Sequence, residues 1–375
     1  MIYLDYNATT PVAKEVAEAM MPFLVEDFGN PSSAHPMGGR AREALEKARG
    51  QVSRMLGCES TEVVFTSGGT ESNNMVLKSV AWSLRNKGRH IITTKIEHPS
   101  IINTALFLME DGYDVTFLPV DKYGSLDPDE IRKAVRRDTI LITVMHANNE
   151  TGTIQPLAEI SSIAREHGVL FHTDAAQSVG KTETKVGDLG VDFLTIAGHK
   201  IYAPKGVGAL YIRNGVKIEP FIHGGGQEMG LRSGTENVIL NVGLGKACEL
   251  VLDNLSDDIP RLRGLRDRLH NQILSAIPEV VLNGHPENRL PNTLNLSFPG
   301  MIGEEILSEI PELCASTGAA CHDRSLKLSH VLGAMGVTEE VGIGAIRLSL
   351  GRPTTEAQVD EAAGLLIAKG TGKDL

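Results

Sequence analysis

Short apolar runs alternate with amphipathic stretches from about residue 61 to about residue 212. The runs are rich in Val, Ile, Thr and Phe and are bounded by turn or helix residues, which is typical of buried strands. The predicted strands are residues 63–65, 90–94, 115–118, 139–144, 169–173 and 192–196. Strands that alternate with helices predict an α/β fold with a mostly parallel sheet covered on both faces. Such sheets bind ligands beyond the carboxyl ends of their strands.

Apolar residues that recur every three or four positions predict helices over residues 39–56 and 157–164. The last third of the chain changes character and predicts a smaller α+β domain. Its predicted elements are helices 238–252, 260–274, 326–335 and 355–368, strands 292–297 and 345–350, and a loop over 313–324. We therefore expect a large α/β domain of residues 15–255 and a small domain of residues 1–14 plus 256–375.

Composition narrows the class of protein. The chain has 375 residues, of which 41% are hydrophobic and 22% charged, as in a folded enzyme of about two domains. Acidic residues outnumber basic ones by 47 to 36, so we expect neither a nucleic-acid partner nor an anionic membrane surface. No apolar run reaches the length of a membrane span, and no secretory signal is visible. Four scattered cysteines without a Cys-x-x-Cys pair predict a reducing cytoplasm and no metal centre.

A glycine-rich turn follows the first predicted strand. Ser67-Gly68-Gly69-Thr70-Glu71-Ser72 opens a helical stretch, and glycines there let backbone N–H groups approach an anion that the helix dipole favours. The segment is either a phosphate-binding turn, with Thr70 adding a hydroxyl, or only a tight strand-to-helix turn. It lacks the Walker and G-x-G-x-x-G patterns, so nucleotide binding is weakly supported.

Two titratable residues stand at the ends of later strands. Asp174 ends a predicted buried strand, where a carboxylate could keep a pyridine nitrogen protonated or could cap the next helix. Lys200 follows Gly198-His199 after another strand. A partly buried lysine there is a Schiff-base candidate, although most lysines at such a position are simply exposed.

Cys321 lies among small residues in Ala315–His322, a sequence typical of an exposed loop. A neighbouring His322 favours the reactive thiolate, whereas Asp323 disfavours it, so the thiol is either a nucleophile or inert. Arg347 within an apolar strand predicts either a substrate-carboxylate site or a structural ion pair. His98 could stack on a flat ring or cap a helix.

These segments together resemble the NifS-type cysteine desulfurases, which are pyridoxal-phosphate (PLP) enzymes of aminotransferase fold type I. The resemblance runs from Tyr3-Leu4-Asp5-Tyr6-Asn7-Ala8-Thr9-Thr10-Pro11 to Leu350-Gly351-Arg352. It includes Asn30-Pro31-Ser32-Ser33, His146-Ala147-Asn148-Asn149-Glu150-Thr151-Gly152 and Arg232-Ser233-Gly234-Thr235. It implies a homodimer with active sites near the subunit interface.

The resemblance also implies roles for single residues. Lys200 would form the Schiff base with PLP, and Cys321 would be the nucleophile that receives sulfur. Asp174 would hold the pyridine nitrogen, Gln177 the ring hydroxyl, and His98 would stack on the ring. The phosphate would be held by Gly69, Thr70, His199 and, from the neighbouring subunit, Thr235. The substrate carboxylate would bind Arg347 and Asn149.

Two departures from the family pattern matter. Ala197 stands where many relatives carry a serine that binds phosphate. His322 and Asp323, followed by Arg324, replace the small hydroxyl residues that usually follow the cysteine, and they raise the alternative of a selenocysteine lyase. Another fold-type I enzyme, such as a transaminase or a different β-lyase, and a catalytically inactive scaffold are further alternatives. The acceptor implied is an iron–sulfur scaffold protein or a selenophosphate-forming enzyme.

Overall fold

The computed structural model describes residues 1–317 and 328–372. The strands are β1 (Ile2–Tyr3), β2 (Val63–Thr66), β3 (His90–Thr94), β4 (Asp114–Leu118), β5 (Thr139–Thr143), β6 (Leu170–Asp174), β7 (Phe193–Ala197), β8 (Gly208–Ile212), β9 (Val281–Asn283), β10 (Thr293–Ser297), β11 (Leu313–Cys314) and β12 (Ala345–Ser349).

The α-helices are α1 (Lys14–Met20), α2 (Pro22–Val25), α3 (Pro36–Leu56), α4 (Gly69–Leu84), α5 (Pro99–Glu110), α6 (Pro128–Ala134), α7 (Leu157–Glu166), α8 (Val186–Leu189), α9 (Val238–Ala276), α10 (Gly303–Ser308), α11 (His330–Ala334), α12 (Glu339–Gly342) and α13 (Glu356–Gly370). Short 3-10 helices occupy Ser60–Glu62, Gly198–Lys200 and Glu228–Gly230. Among the described residues, no helix combines the length and the apolar character that a membrane span needs.

The central sheet has seven strands in the order β2-β8-β7-β6-β5-β3-β4. The pairs from β7 through β4 are parallel, whereas β8 runs antiparallel to both β2 and β7. The prediction of a mostly parallel sheet is confirmed, but the sequence analysis missed β8. At its first residue, Gly208, a Cβ atom would stand 2.7 Å from the Cα of Gly68, so only glycine allows this close approach.

Helices bury both faces of this sheet. Neighbouring residues on one strand enter opposite hydrophobic clusters: Ile92 and Ile142 lie on one side, and Ile91 and Leu141 on the other. This follows from the two-residue period of a strand. A strand that is buried on both faces has a continuous apolar sequence, and for this reason the positions of these strands could be predicted well.

The C-terminal part has its own sheet, in which β10 pairs antiparallel with β9 and β12. Its hydrophobic cluster joins residues of these strands to α13 and the second half of α9, and β1 pairs parallel with β11 beside it. The predicted helix 355–368 and strands 292–297 and 345–350 are confirmed. Of the predicted helix 326–335, the described part forms α11, and residues 326–327 lie outside the described residues.

Two sequence predictions here were wrong. Helices 238–252 and 260–274 are one helix, α9, of 39 residues with Pro260 inside it. Proline usually ends a helix, but α9 packs against α3 and α1 in its first half and α13 in its second, and this packing favours a continuous helix. The predicted loop 313–324 begins with strand β11. The division at residue 255 stays a proposal, and α9 runs uninterrupted through that position.

Candidate active site

The carboxyl ends of β2, β7 and β6 bring three chemically different groups to one edge of the central sheet. β2 leads into the glycine-rich turn before α4, β6 ends on Asp174, and β7 leads into the 3-10 helix Gly198–Lys200. Parallel strands place their carboxyl ends on the same side of a sheet, where helix N-termini also gather. An anion-binding turn, a carboxylate and an amine therefore converge.

Lys200 is half-buried and its Nζ donates hydrogen bonds to two backbone carbonyls, Asn7 O at 2.5 Å and Ala8 O at 2.8 Å. Burial, together with the charge of Arg347 and against the opposing charges of Asp174 and Asp5, lowers the pKa of Lys200 to about 8. About a tenth of Lys200 is therefore the neutral, nucleophilic amine at pH 7, compared with far less for an ordinary lysine.

Asp174 is buried and both of its carboxylate oxygens accept hydrogen bonds. The Nδ2 of Asn73 donates to Oδ2 at 2.7 Å, and the backbone N–H of Ala176 donates to Oδ1 at 2.9 Å. The same Asn73 Nδ2 also donates to Ser100 Oγ at 2.8 Å. These contacts fix the plane of a carboxylate that can still accept from a ring nitrogen. The sequence analysis missed Asn73, although its position one helical turn beyond Gly69 placed it on the same face of α4.

His98 joins this network through Ser100. It is the N-cap of α5, where its Nδ1 accepts from the backbone N–H of Ser100 at 3.2 Å and lies 2.8 Å from Ser100 Oγ. His98 as a residue is exposed. Of the two roles expected for His98, the structure shows the helix cap. Stacking on a flat ring stays a proposal.

The glycine-rich turn has the shape of an anion-binding turn. Gly68 is the N-cap of the 16-residue helix α4 at φ +148°, a conformation that favours glycine. Thr70 is exposed in the first helical turn, and a Cβ on Gly69 would meet Ala197 at 3.5 Å. Backbone N–H groups at the start of such a helix attract an anionic oxygen.

His199 lies beside Lys200, and its Nδ1 stands 3.2 Å from Thr9 Oγ1. Burial, together with the charges of Lys200, Lys205 and Lys181, lowers the pKa of His199 to about 4. The imidazole is therefore neutral at pH 7. It can contribute a hydrogen bond to an anion, but no charge.

Asn7 connects the N-terminal segment to the site. Its side chain is buried, and its Nδ2 donates to Thr293 Oγ1 at 2.9 Å and to Asn149 O at 3.2 Å. Its backbone carbonyl accepts from Lys200 and from Gln177 Nε2, the latter at 2.9 Å. Asn7 belongs to a segment that carries the family resemblance, but no local pattern distinguishes it from its neighbours.

Arg347 is buried in β12, and its Nη2 lies 2.8 Å from Asp5 Oδ1 while Nη1 donates to Asn149 O at 3.2 Å. Its Nε is buried without a partner among the residues that the structure describes. The expected structural ion pair is therefore present, between Arg347 and Asp5. The Nε of Arg347 can still donate a hydrogen bond to a further acceptor. Arg347 and Asn149, both expected at the substrate carboxylate, lie side by side.

Thr235 is the remaining expected residue that the structure describes. It is exposed and lines a cleft with Arg232 and Ser67, the residue that begins the glycine-rich turn. Its expected role toward a neighbouring subunit stays a proposal. Cys321, His322 and Asp323 lie outside the described residues. Within residues 1–317 and 328–372, no cluster of three His, Cys, Asp or Glu side chains is placed to hold a metal ion.

The donor set fits a phosphorylated pyridine aldehyde. The turn at Gly68–Gly69 suits a phosphate, the doubly anchored Asp174 suits a pyridinium nitrogen, and the Lys200 amine suits an aldehyde. The chain matches the family profile of class-V aminotransferases over residues 2–362. It belongs to this family of PLP-dependent enzymes, and pyridoxal 5′-phosphate is its cofactor.

Within this family, the chain is similar to cysteine desulfurases and NifS-like proteins. The chain is 52% identical to cysteine desulfurase IscS of Dictyoglomus turgidum over 96% of its own length and 92% of the relative's. Among solved structures, a NifS-like protein superimposes with a TM-score of 0.92 at 40% identity, with 98% of each chain covered. SspA in complex with cysteine superimposes with a TM-score of 0.83 at 38% identity, covering 93% of this chain and 99% of SspA.

Proposed function

We propose that this protein is a cysteine desulfurase that releases alanine from L-cysteine and transfers the sulfur to Cys321 as a persulfide. The observation that carries the proposal is the convergence of the Lys200 amine, the Asp174 carboxylate and the anion-binding turn at one sheet edge. The 52% identity to a cysteine desulfurase over nearly the whole chain supports it.

Lys200 and Asp174 divide the acid–base work. The bound cofactor supplies an electron sink for the carbon next to the substrate amine. Lys200, with a pKa of about 8, takes the proton from this carbon as general base and returns it later as an acid. Asp174, held by Asn73 and Ala176, keeps the ring nitrogen protonated, and the ring of His98 covers one face of the site.

Arg347 and Asn149 recognise the substrate carboxylate. Arg347 offers the buried Nε in addition to its contact with Asp5, and Asn149 is partly exposed beside it. A guanidinium binds a carboxylate with fixed geometry, which orients an amino acid at the site. His199, Thr70 and Gly69 hold the phosphate, Gln177 holds the ring hydroxyl, and Thr235 reaches the phosphate of a neighbouring subunit in a homodimer.

Cys321 completes the reaction as the nucleophile. Its thiolate attacks the substrate sulfur, so an S–S bond forms on Cys321 while the bond between this sulfur and the substrate Cβ breaks. The electron pair of the broken bond stays with Cβ, which takes up a proton, and the three-carbon remainder leaves as alanine. An acceptor protein, of the kind that builds iron–sulfur clusters, then takes the sulfur. We place the enzyme in the cytoplasm, where a reducing environment keeps Cys321 free.

The test is to count alanine formed from L-cysteine and to map the persulfide. We expect one alanine for each sulfur transferred by the parent enzyme. Cys321→Ala should keep the cofactor but form no persulfide, while Cys58→Ala serves as the matched control because Cys58 lies in the cleft beside Glu62 and Arg213, away from the site. A keto acid in place of alanine would point to a transaminase and overturn the proposal.

L-selenocysteine is a second candidate substrate, favoured by one observation in the sequence: His322 and Asp323 directly follow Cys321. This pair could transfer a proton during selenium release. Parallel kinetics decide between the substrates. If selenium is preferred, turnover of L-selenocysteine is much faster and His322→Ala or Asp323→Ala narrows the gap, whereas equal turnover of both substrates removes this candidate.

A further inference from the structure

A second lysine lies buried next to the proposed catalytic lysine. Lys181 is 7% exposed, and its Nζ donates to Gln177 Oε1 at 2.8 Å and to Asn7 Oδ1 at 3.3 Å. Lys181 and Lys200 line the same small cavity. The two lysines also share Asn7, since Lys181 contacts its side-chain oxygen and Lys200 contacts its backbone carbonyl. Lys181 has no role in the proposed reaction mechanism.

The charges that surround Lys181 favour its neutral form. Burial lowers the pKa of Lys181 well below its ordinary value, and the charges of Lys200 and Arg347 lower it further. A neutral amine has two N–H donors, and Lys181 has two acceptors, the side-chain oxygens of Gln177 and Asn7. Lys181 therefore acts here as a hydrogen-bond donor.

This donor decides which way the Gln177 amide faces. Lys181 donates to the amide oxygen, so the Nε2 of Gln177 must face the opposite side, where it donates to Asn7 O at 2.9 Å. That side leads to Asn7 and Lys200. An amide held in this orientation would offer its N–H to the ring oxygen of a bound cofactor, whereas a flipped amide would offer a carbonyl and repel that oxygen.

We propose that Lys181 is a positioning residue that holds Gln177 with its Nε2 toward the cofactor's ring oxygen and holds Asn7 beneath Lys200. This inference rests on the proposed function, because it takes the ring-oxygen role of Gln177 from there. Lys181 acts through Gln177 and does not touch the reacting atoms.

The test is the pH titration of the visible absorbance of the bound cofactor. Lys181→Met keeps the length of the side chain and removes its donors. A donor at the ring oxygen stabilises the deprotonated form, so its loss raises the spectral pKa by about one unit. The matched control is Lys185→Met on the same segment, which loses hydrogen bonds to the backbone of Arg54 and Met55 and leaves the spectral pKa unchanged.

A double-mutant cycle separates orientation from general stabilisation. Because Lys181 acts through Gln177, Lys181→Met should add no further shift in a Gln177→Met background. Additive shifts, or no shift from Lys181→Met alone, overturn the proposal. If Lys181→Met does not fold, the same cycle is run with Lys181→Leu, a shorter apolar side chain that also lacks a donor, and it is judged by the same two outcomes.

Borohydride labelling of the parent enzyme keeps the two proposals apart. A labelled peptide that contains Lys200, together with additive shifts, means that the proposed function stands and only the role of Lys181 fails. Absence of the label from Lys200 in the parent means that the proposed function itself fails.

Discussion

The side-chain amide of Asn73 donates to Asp174 Oδ2 at 2.7 Å and so joins α4 to the end of β6. Since the first turn of α4 is the proposed phosphate-binding turn, the same helix would hold both ends of the cofactor. The amide also donates to Ser100 Oγ, which contacts His98. Contacts to α4 therefore position the proposed phosphate site and the proposed partner of the pyridine nitrogen, and they reach His98 through Ser100.

Asn73→Ala should lower kcat/KM for alanine formation by about tenfold to a hundredfold, because Asp174 loses a charge-assisted hydrogen bond that fixes its carboxylate. The cofactor should still be labelled at Lys200 by borohydride. Asn254→Ala is the control, since Asn254 is exposed on α9 and loses only a bond to its own helix. Equal activity of the two variants would contradict the role of Asn73.

Cofactor uptake by the apoenzyme should depend on pH through Lys200. Only the neutral amine attacks an aldehyde, and the pKa of Lys200 is about 8, so the rate should rise about tenfold per pH unit below this value and level off above it. Stopped-flow absorbance measures the rate. A rate that keeps rising up to about pH 10, the ordinary range of lysine, would show that burial does not shift this amine.

Glu97 should make the protein less stable as the pH rises. Burial raises its pKa to about 8, so between its ordinary pKa and about pH 8 the folded state binds a proton that the unfolded state has lost. Glu97→Gln removes this linkage and should gain free energy of unfolding relative to the parent, by at most about 1.4 kcal/mol per pH unit, up to about pH 8.

Denaturant unfolding of the apoenzyme at several pH values tests this expectation for Glu97. The control is Glu361→Gln on the exposed face of α13, which should follow the parent at every pH. The prediction is wrong if the difference between Glu97→Gln and the parent stays constant from about pH 5 to about pH 8.

Arg49→Met should lower the free energy of unfolding by about 3–5 kcal/mol, because it leaves the buried carboxylate of Glu228 without its cation. Arg49 donates to both oxygens of Glu228, at 2.7 and 3.0 Å. Glu228 and Met229 both have positive φ, so the ion pair of Arg49 with Glu228 also stabilises a strained turn. Arg132→Met breaks the exposed pair with Glu166 and should change stability little. Similar losses in urea unfolding would contradict the prediction.

The sequence by itself determined which candidate site residues directly follow the strands of the central sheet. Asp174 and Lys200 could be found because a buried strand is a continuous apolar run, and the first polar residues beyond it lie at the ligand-binding edge of a parallel sheet. The turn at Gly68–Gly69 could be found because its glycines mark a backbone conformation that other residues avoid. These are local features, written in a few consecutive residues.

Only the tertiary structure decided which distant side chains support these groups. The hydrogen-bonded pairs are far apart along the chain: 101 positions separate Asn73 from Asp174, 193 separate Lys200 from Asn7, and 342 separate Arg347 from Asp5. Hydrogen bonds of this kind depend on how strands and helices are arranged in space, and no local periodicity encodes them. The continuity of α9 through Pro260 was also decided by packing, because contacts along both halves of the helix outweigh the local cost of a proline.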